Sequence, residues 1–257
     1  MVHMQIRRHS VLAIISCGLV LTVASAAQEH HPEHSWDYGE AQGPSHWAEL
    51  KPEFATCRDG YRQSPIDIRS PKKSDLPSIE FDYKPTPLRV IDNGHTVMIN
   101  YDPGSFISID GRKYGLKQFH FHRPSEEKID GKTYDMVVHL VHADETGKLA
   151  VVAVLLEKGK DNPLIHELWI HLPTAKEKEE EVTGIQINAS SLLPADRGYY
   201  TFSGSLTTPP CSEDVKWFVL KNAVPISAVE IEQFSKLYPH NARPTQPLNG
   251  RALLETK

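Results

Sequence analysis

Between Gln118 and His122 the chain reads Gln-Phe-His-Phe-His, a strict alternation of polar and aromatic residues. Successive side chains of a strand point to opposite faces, so Gln118, His120 and His122 share one face. Seventeen residues further on, His139 lies in a second apolar run, Val137-Val138-His139-Leu140-Val141. A neighbouring strand that brought this third imidazole alongside would close a three-nitrogen face around one metal ion. Zinc held by three histidines keeps its fourth position open for water, which is a catalytic rather than a structural arrangement. Gln118, one pleat earlier, is placed to accept the ring N–H that points away from the metal. His142 is three residues from His139, faces the other side of its strand, and reads as structural.

Short β-rich runs dominate the chain. They cover Ser78–Tyr83, Leu88–Asp92, Thr96–Tyr101, Phe106–Ile109, Leu116–His122, Asp135–His142, Ala150–Glu157 and Val215–Leu220. Asp92-Asn93-Gly94, Asp102-Pro103-Gly104, Asp110-Gly111 and Asp130-Gly131 mark turns between them. Two helices are predicted. Asn162–His171 has a capping Asn and a first-turn Pro, and Ser227–Tyr238 has a Ser cap with Glu230 three residues on. The charge run Lys176–Val182 reads as a solvated loop or helix end. The pattern is a β-dominated α+β single domain with helices at its periphery.

The first 26 residues read as a signal peptide, leaving 27–257 as the domain. Arg7 and Arg8 form a basic segment, Val11 to Ala24 is almost unbroken apolar sequence, and Ala24-Ser25-Ala26 supplies small residues for cleavage. The run is short for a membrane span, so no stable insertion is expected. Lipidation at Cys17, in Ile14-Ile15-Ser16-Cys17, is the rival reading. The expected location is periplasmic or secreted. Loss of Arg7 and Arg8 moves the net charge from −5 to −7, away from the basic balance of nucleic-acid binders. Cys57 and Cys211 then remain, and in an oxidising compartment an even pair is most simply one disulfide. Two buried free thiols are the alternative. His30, His31 and His34 read as part of a terminal tail.

Around the histidines a second chemistry fits part of the pattern. His120-x-His122-x3-Glu126 matches the first metal motif of cupins, but the second cupin motif is missing around His139. Ser203-Gly204-Ser205-Leu206-Thr207-Thr208-Pro209-Pro210-Cys211 places two hydroxyls before two prolines, a rigid loop. Together with Trp36-Asp37-Tyr38-Gly39, Gln63–Ile68, Asn93-Gly94-His95, His139–His142 and Asn241–Pro247, this resembles the alpha-class carbonic anhydrases, in their exported bacterial branch. The resemblance covers essentially the whole chain after the leader.

The resemblance implies a large, mostly antiparallel, twisted central sheet. It implies zinc on His120, His122 and His139, and reversible hydration of carbon dioxide to bicarbonate. By the same likeness, Thr207 orients the nucleophile through Glu126, and Thr208 contacts bicarbonate. Val141, Val151, Leu206, Val215 and Trp217 match the apolar wall for carbon dioxide. His95 matches the proton shuttle, with Tyr38 and Asn93 ordering its water chain. A homodimer is among the expected partners. Three positions depart from the family. Val137 stands where a glutamate usually bonds the distal nitrogen of the third ligand, which predicts a tenfold to hundredfold loss in metal affinity or activity unless another acceptor or a water substitutes. Glu127 replaces a common histidine, and Met98 a common amide. Strand spacing favours Glu126 over Glu127 as the partner of Thr207. These departures leave an acatalytic zinc-binding interaction protein as the alternative function.

Overall fold

The strand that holds the Gln118 segment runs over Arg112–His122, and its alternation slips by one residue between Leu116 and Gln118, where the pairing shifts register. The structure, a computed structural model, describes Met1 and residues 36–257. The leader, Cys17, His30, His31 and His34 lie outside the described residues. All eight strands expected from the sequence are present, with ends displaced by a few residues. Both helices are present as well. Pro163–Ile170 is capped by Asn162, and Ala228–Leu237 carries a full capping box between Ser227 and Glu230.

Among the described residues one sheet of 13 strands dominates. Its main path begins with Glu180–Ile187, Thr86–Asp92, Val97–Asn100, Arg112–His122 and Met136–Ala143. It continues through Leu149–Lys158, Glu213–Leu220, Tyr199–Ser205, Leu254–Thr256 and Lys72–Ser74. Most neighbours are antiparallel, as expected. The Leu149–Lys158 strand is the main exception, pairing in parallel with Glu213–Leu220 and Val224–Ile226.

The charge run corrects one expectation. Residues 176–179 lie outside the strands as expected, but Glu180, Glu181 and Val182 begin the edge strand Glu180–Ile187. An edge strand with one wet face tolerates acids, and charge there discourages pairing with other chains. Glu181 accepts from Arg89 Nε of the adjoining strand at 2.9 Å.

The two faces of the sheet bury different things. One carries the larger apolar core, with Phe119, Phe121, Val138 and Leu140 packed against Leu164, Trp169 and Phe234 from the helices. The opposite face carries a smaller cluster around Val137, Val151, Val215 and Trp217. Because His120, His122 and His139 alternate with the first set, they emerge on the second face. A third cluster joins Trp47 and Phe54 to the Cys57–Cys211 disulfide, whose sulfurs are 2.06 Å apart. The expected cystine is therefore formed. It ties the N-terminal segment to the loop that carries Thr207 and Thr208.

Candidate metal centre

His139 lies directly across from His120 in the antiparallel pair, while His122 faces Val137 one step along. Cross-strand neighbours of this kind are separated by about 5 Å, which suits a shared ion. One ligand nitrogen from each of the three rings falls within 4.8 Å of the others. His122 and His139 are fully buried and His120 is half-buried.

Each ring has its other nitrogen engaged. His120 Nδ1 donates to Gln118 Oε1 at 2.8 Å, as the spacing predicts. His122 Nδ1 donates to the Asn241 carbonyl at 2.7 Å. His139 Nε2 donates to Glu127 Oε2 at 3.2 Å. The nitrogens left over, Nε2 of His120 and His122 and Nδ1 of His139, converge. Nε2 of His122 is buried with no hydrogen-bond partner, and so is Oε2 of Glu126. Those two atoms stand 3.6 Å apart, and His139 Nδ1 is 3.8 Å from the same oxygen. Orphaned buried polar atoms are rare, and the unpartnered Nε2 of His122, beside the free nitrogens of the other two rings, fits a cation there.

Electrostatics agree with the geometry. Burial, then the neighbouring His139, pulls His120 down to about 3. Burial, then His139 and His120, holds His122 well below the ordinary imidazole range. Both rings therefore offer lone pairs at neutral pH. His139 is pulled down by burial as well, but the charge and hydrogen bond of Glu127 and the charge of Glu126 outweigh this and leave it raised. Burial, opposed by His139 and reinforced by Glu127, pushes Glu126 up to about 7. Two fully buried acids thus surround a site that favours positive charge.

The structure separates the adjacent acids. Glu126 Oε1 accepts from the Arg243 backbone N–H at 2.8 Å. Thr207 lies close enough to favour the charged form of Glu126. Glu127 turns the other way, to His139. That ring nitrogen therefore has an acceptor from outside its own strand, the case in which no weakening is expected from Val137. Val137 itself is fully buried in the apolar cluster.

A cleft of about 130 Å³ opens onto two of the three histidines, lined by Trp36, Tyr38, Asn93, His95, Met98, His120, His122 and Thr208 among others. Gly94, at φ 84°, makes the turn that presents His95. Asn93 Oδ1 accepts from the backbone N–H of His95 and Thr96, at 3.0 and 2.9 Å. His95 stacks on Trp36 with ring centroids 3.6 Å apart. Burial, then Glu126, pushes the Tyr38 phenol well above its usual range. The five apolar residues also meet. Val141 pairs with Val151, Val151 with Trp217, and Val141 and Leu206 pack on the Val151–Val215–Trp217 cluster. The Trp217 ring lies 4.9 Å from that of His139. Gly204 lets this strand approach closely, since a Cβ there would sit 2.1 Å from Ser64 Oγ.

Four contributors were not legible in the sequence. Trp36 stood only as the first residue of the Trp36-Asp37-Tyr38-Gly39 motif. Asn241 fixes His122, Glu127 fixes His139, and buried Arg243 bonds Gln63, Ser64 and Cys57. All of these contacts except that of Glu127 span more than 50 residues, and no local pattern announces them. His142 is structural, as expected. Its Nε2 accepts from Tyr83 at 2.8 Å on the opposite face of the sheet.

Comparison with known proteins places this geometry among relatives. Residues 42–257 match the family model described as eukaryotic-type carbonic anhydrase. The chain is 44% identical over 226 residues to a carbonic anhydrase of Nostoc sp., covering 86% of each. A hyperthermostable carbonic anhydrase from a hydrothermal vent chimney superposes with a TM-score of 0.84 at 45% identity, covering 86% of this chain and all of that one. The Thermovibrio ammonificans alpha-carbonic anhydrase, solved with sulfanilamide, gives 0.82 at 40% identity, covering 86% of this chain and 98% of that one.

Proposed function

The chain belongs to the eukaryotic-type carbonic anhydrase family of enzymes, and from that premise we propose that it hydrates carbon dioxide reversibly to bicarbonate and a proton, with zinc on His120, His122 and His139. The observation that carries this reading is the convergence of three ring nitrogens within 4.8 Å, with the other nitrogen of every ring already committed. Zinc, when bound, supplies a Lewis acid that makes hydroxide available near neutral pH.

The protein's own residues do the rest. Thr207 donates its proton toward Glu126 and thereby turns only acceptor lone pairs to the nucleophile, an orientation effect. The Arg243 backbone N–H holds Glu126 in place for this. Carbon dioxide is small and has no hydrogen to donate, so an apolar wall of Val141, Val151, Leu206, Val215 and Trp217 suits it better than polar contacts. Thr208, at the cleft, contacts bicarbonate as it leaves. His95 carries the proton outward, because imidazole titrates near neutrality and shares the cleft with two ligands. Tyr38 and Asn93 line the same path, and Trp36 sets the plane of the shuttle ring. The Cys57–Cys211 bond supports action in an oxidising compartment, periplasmic or extracellular.

Stopped-flow hydration of carbon dioxide by zinc-loaded protein tests the reading. Turnover that tracks zinc content and stops with a sulfonamide is the expected result. Stoichiometric zinc with no hydration above buffer would favour the acatalytic alternative.

A further inference from the structure

We infer that Glu127 is the positioning residue of His139, standing in from a separate element for an acceptor that position 137 cannot supply. Glu127 acts in this way only if His139 is a metal ligand, as proposed above. Val137 lies two residues before His139 on the same strand face, fully buried among apolar neighbours, and has nothing to accept with. Glu127 comes from the connection after His122 and reaches the same ring nitrogen at 3.2 Å.

Three observations make this a dedicated arrangement. First, Glu127 is fully buried, its Oε1 has no hydrogen-bond partner, and its Oε2 bonds His139. A buried acid is costly, and among the described residues this one has no side-chain partner but that imidazole. Second, its backbone is pinned. Ser125 Oγ donates to the Glu127 carbonyl at 2.8 Å and accepts from the Tyr134 N–H at 2.9 Å. Third, the three rings have unlike partners: an amide for His120, a backbone carbonyl for His122 and a carboxylate for His139. The carboxylate raises the basicity of its imidazole most, so His139 binds a cation more firmly than neutral partners would allow. A glutamate at 137 as well would bury a third acid beside Glu126 and Glu127. Valine at 137 and glutamate at 127 are therefore one exchange, not two unrelated departures.

The test is the rate of zinc loss to a chromophoric chelator from zinc-loaded wild type, Glu127→Gln, Glu127→Ala and Glu127→Ala/Val137→Glu. Glu127→Ala is expected to lose zinc tenfold to hundredfold faster. Glu127→Gln, which keeps shape and an acceptor but not charge, should fall between it and wild type. Restoring an acid by Val137→Glu should recover most of the retention. Nitrogen-15 spectra of the metal-free forms give a readout independent of zinc. His139 should be protonated at Nε2 in wild type, and lose that preference in Glu127→Ala. Retention within about twofold of wild type in Glu127→Ala, or no recovery in the double variant, would overturn the inference while leaving the zinc reading standing. A wild-type chain that takes up no zinc would overturn both.

Discussion

Four histidines on two adjacent strands share a residue type and differ in everything else, and their surroundings explain why. His120 and His122 are kept neutral by burial, His139 is raised by two acids, and His142 is pulled down to about 3 by burial against a backbone carbonyl bond. The last has a consequence for acid stability. Unfolded, His142 titrates near 6.5, whereas folded it stays neutral until about pH 3. The unfolded state therefore binds more protons below pH 6.5, and acid favours unfolding. This contribution is complete above pH 6.5 and is lost as pH falls toward 3. Between pH 6.5 and 4.5 it amounts to roughly 2 kcal/mol. Urea unfolding of wild type and His142→Gln at both pH values checks it. The variant should lose less stability on acidification, and equal losses would refute the assignment. At this scale the sequence was informative about facing: His142 opposite the triad, and Gln118 with His120. It was silent about Glu127, because its partner is chosen by the path of the chain after His122 and not by strand alternation.

Elements were legible where one face is buried and one is wet. Thr86–Asp92 alternates buried and half-buried positions without a break, and so betrays itself. Tyr199–Ser205 was missed because hydroxyls and a glycine interrupt its pattern. What makes it a strand is its partner, Glu213–Leu220, with Phe202 set against Trp217. Glu180–Ile187 was missed for the opposite reason, since its acids suit an edge and conceal a strand. Helix ends are more local. Ser227 Oγ accepts from the Glu230 N–H, and Glu230 accepts in return from the Ser227 N–H at 2.8 Å and from Asn162 at 3.2 Å. Ser227→Ala should cost about 1 kcal/mol of stability. It should leave hydration untouched, because the helix packs on the face away from the triad. A urea midpoint equal to that of wild type would show that the cap contributes nothing.

For the whole molecule, the cystine is the longest covalent constraint, joining residues 154 apart. Loop-closure arguments give about 5 kcal/mol of stabilisation for a span of this size. Unfolding of Cys57→Ser/Cys211→Ser beside the oxidised parent should show a loss of that order, and a change below about 1 kcal/mol would refute it. The bond lies next to Trp47, Phe54, Trp36 and Tyr38, so its removal should also loosen the cleft wall. Alone, the sequence determined the strand-rich fold and the triad, since alternation, turn residues and imidazole spacing are read over a few residues. The tertiary structure decided which acid serves which partner, that Asn241 holds His122, that Arg243 is buried beneath the site, and that Trp36 carries His95. Those contacts depend on segments far apart in the chain or on a turn's exit direction. Hydrogen bonding chooses among such partners only after the sheet has brought them within 3 Å or so of one another.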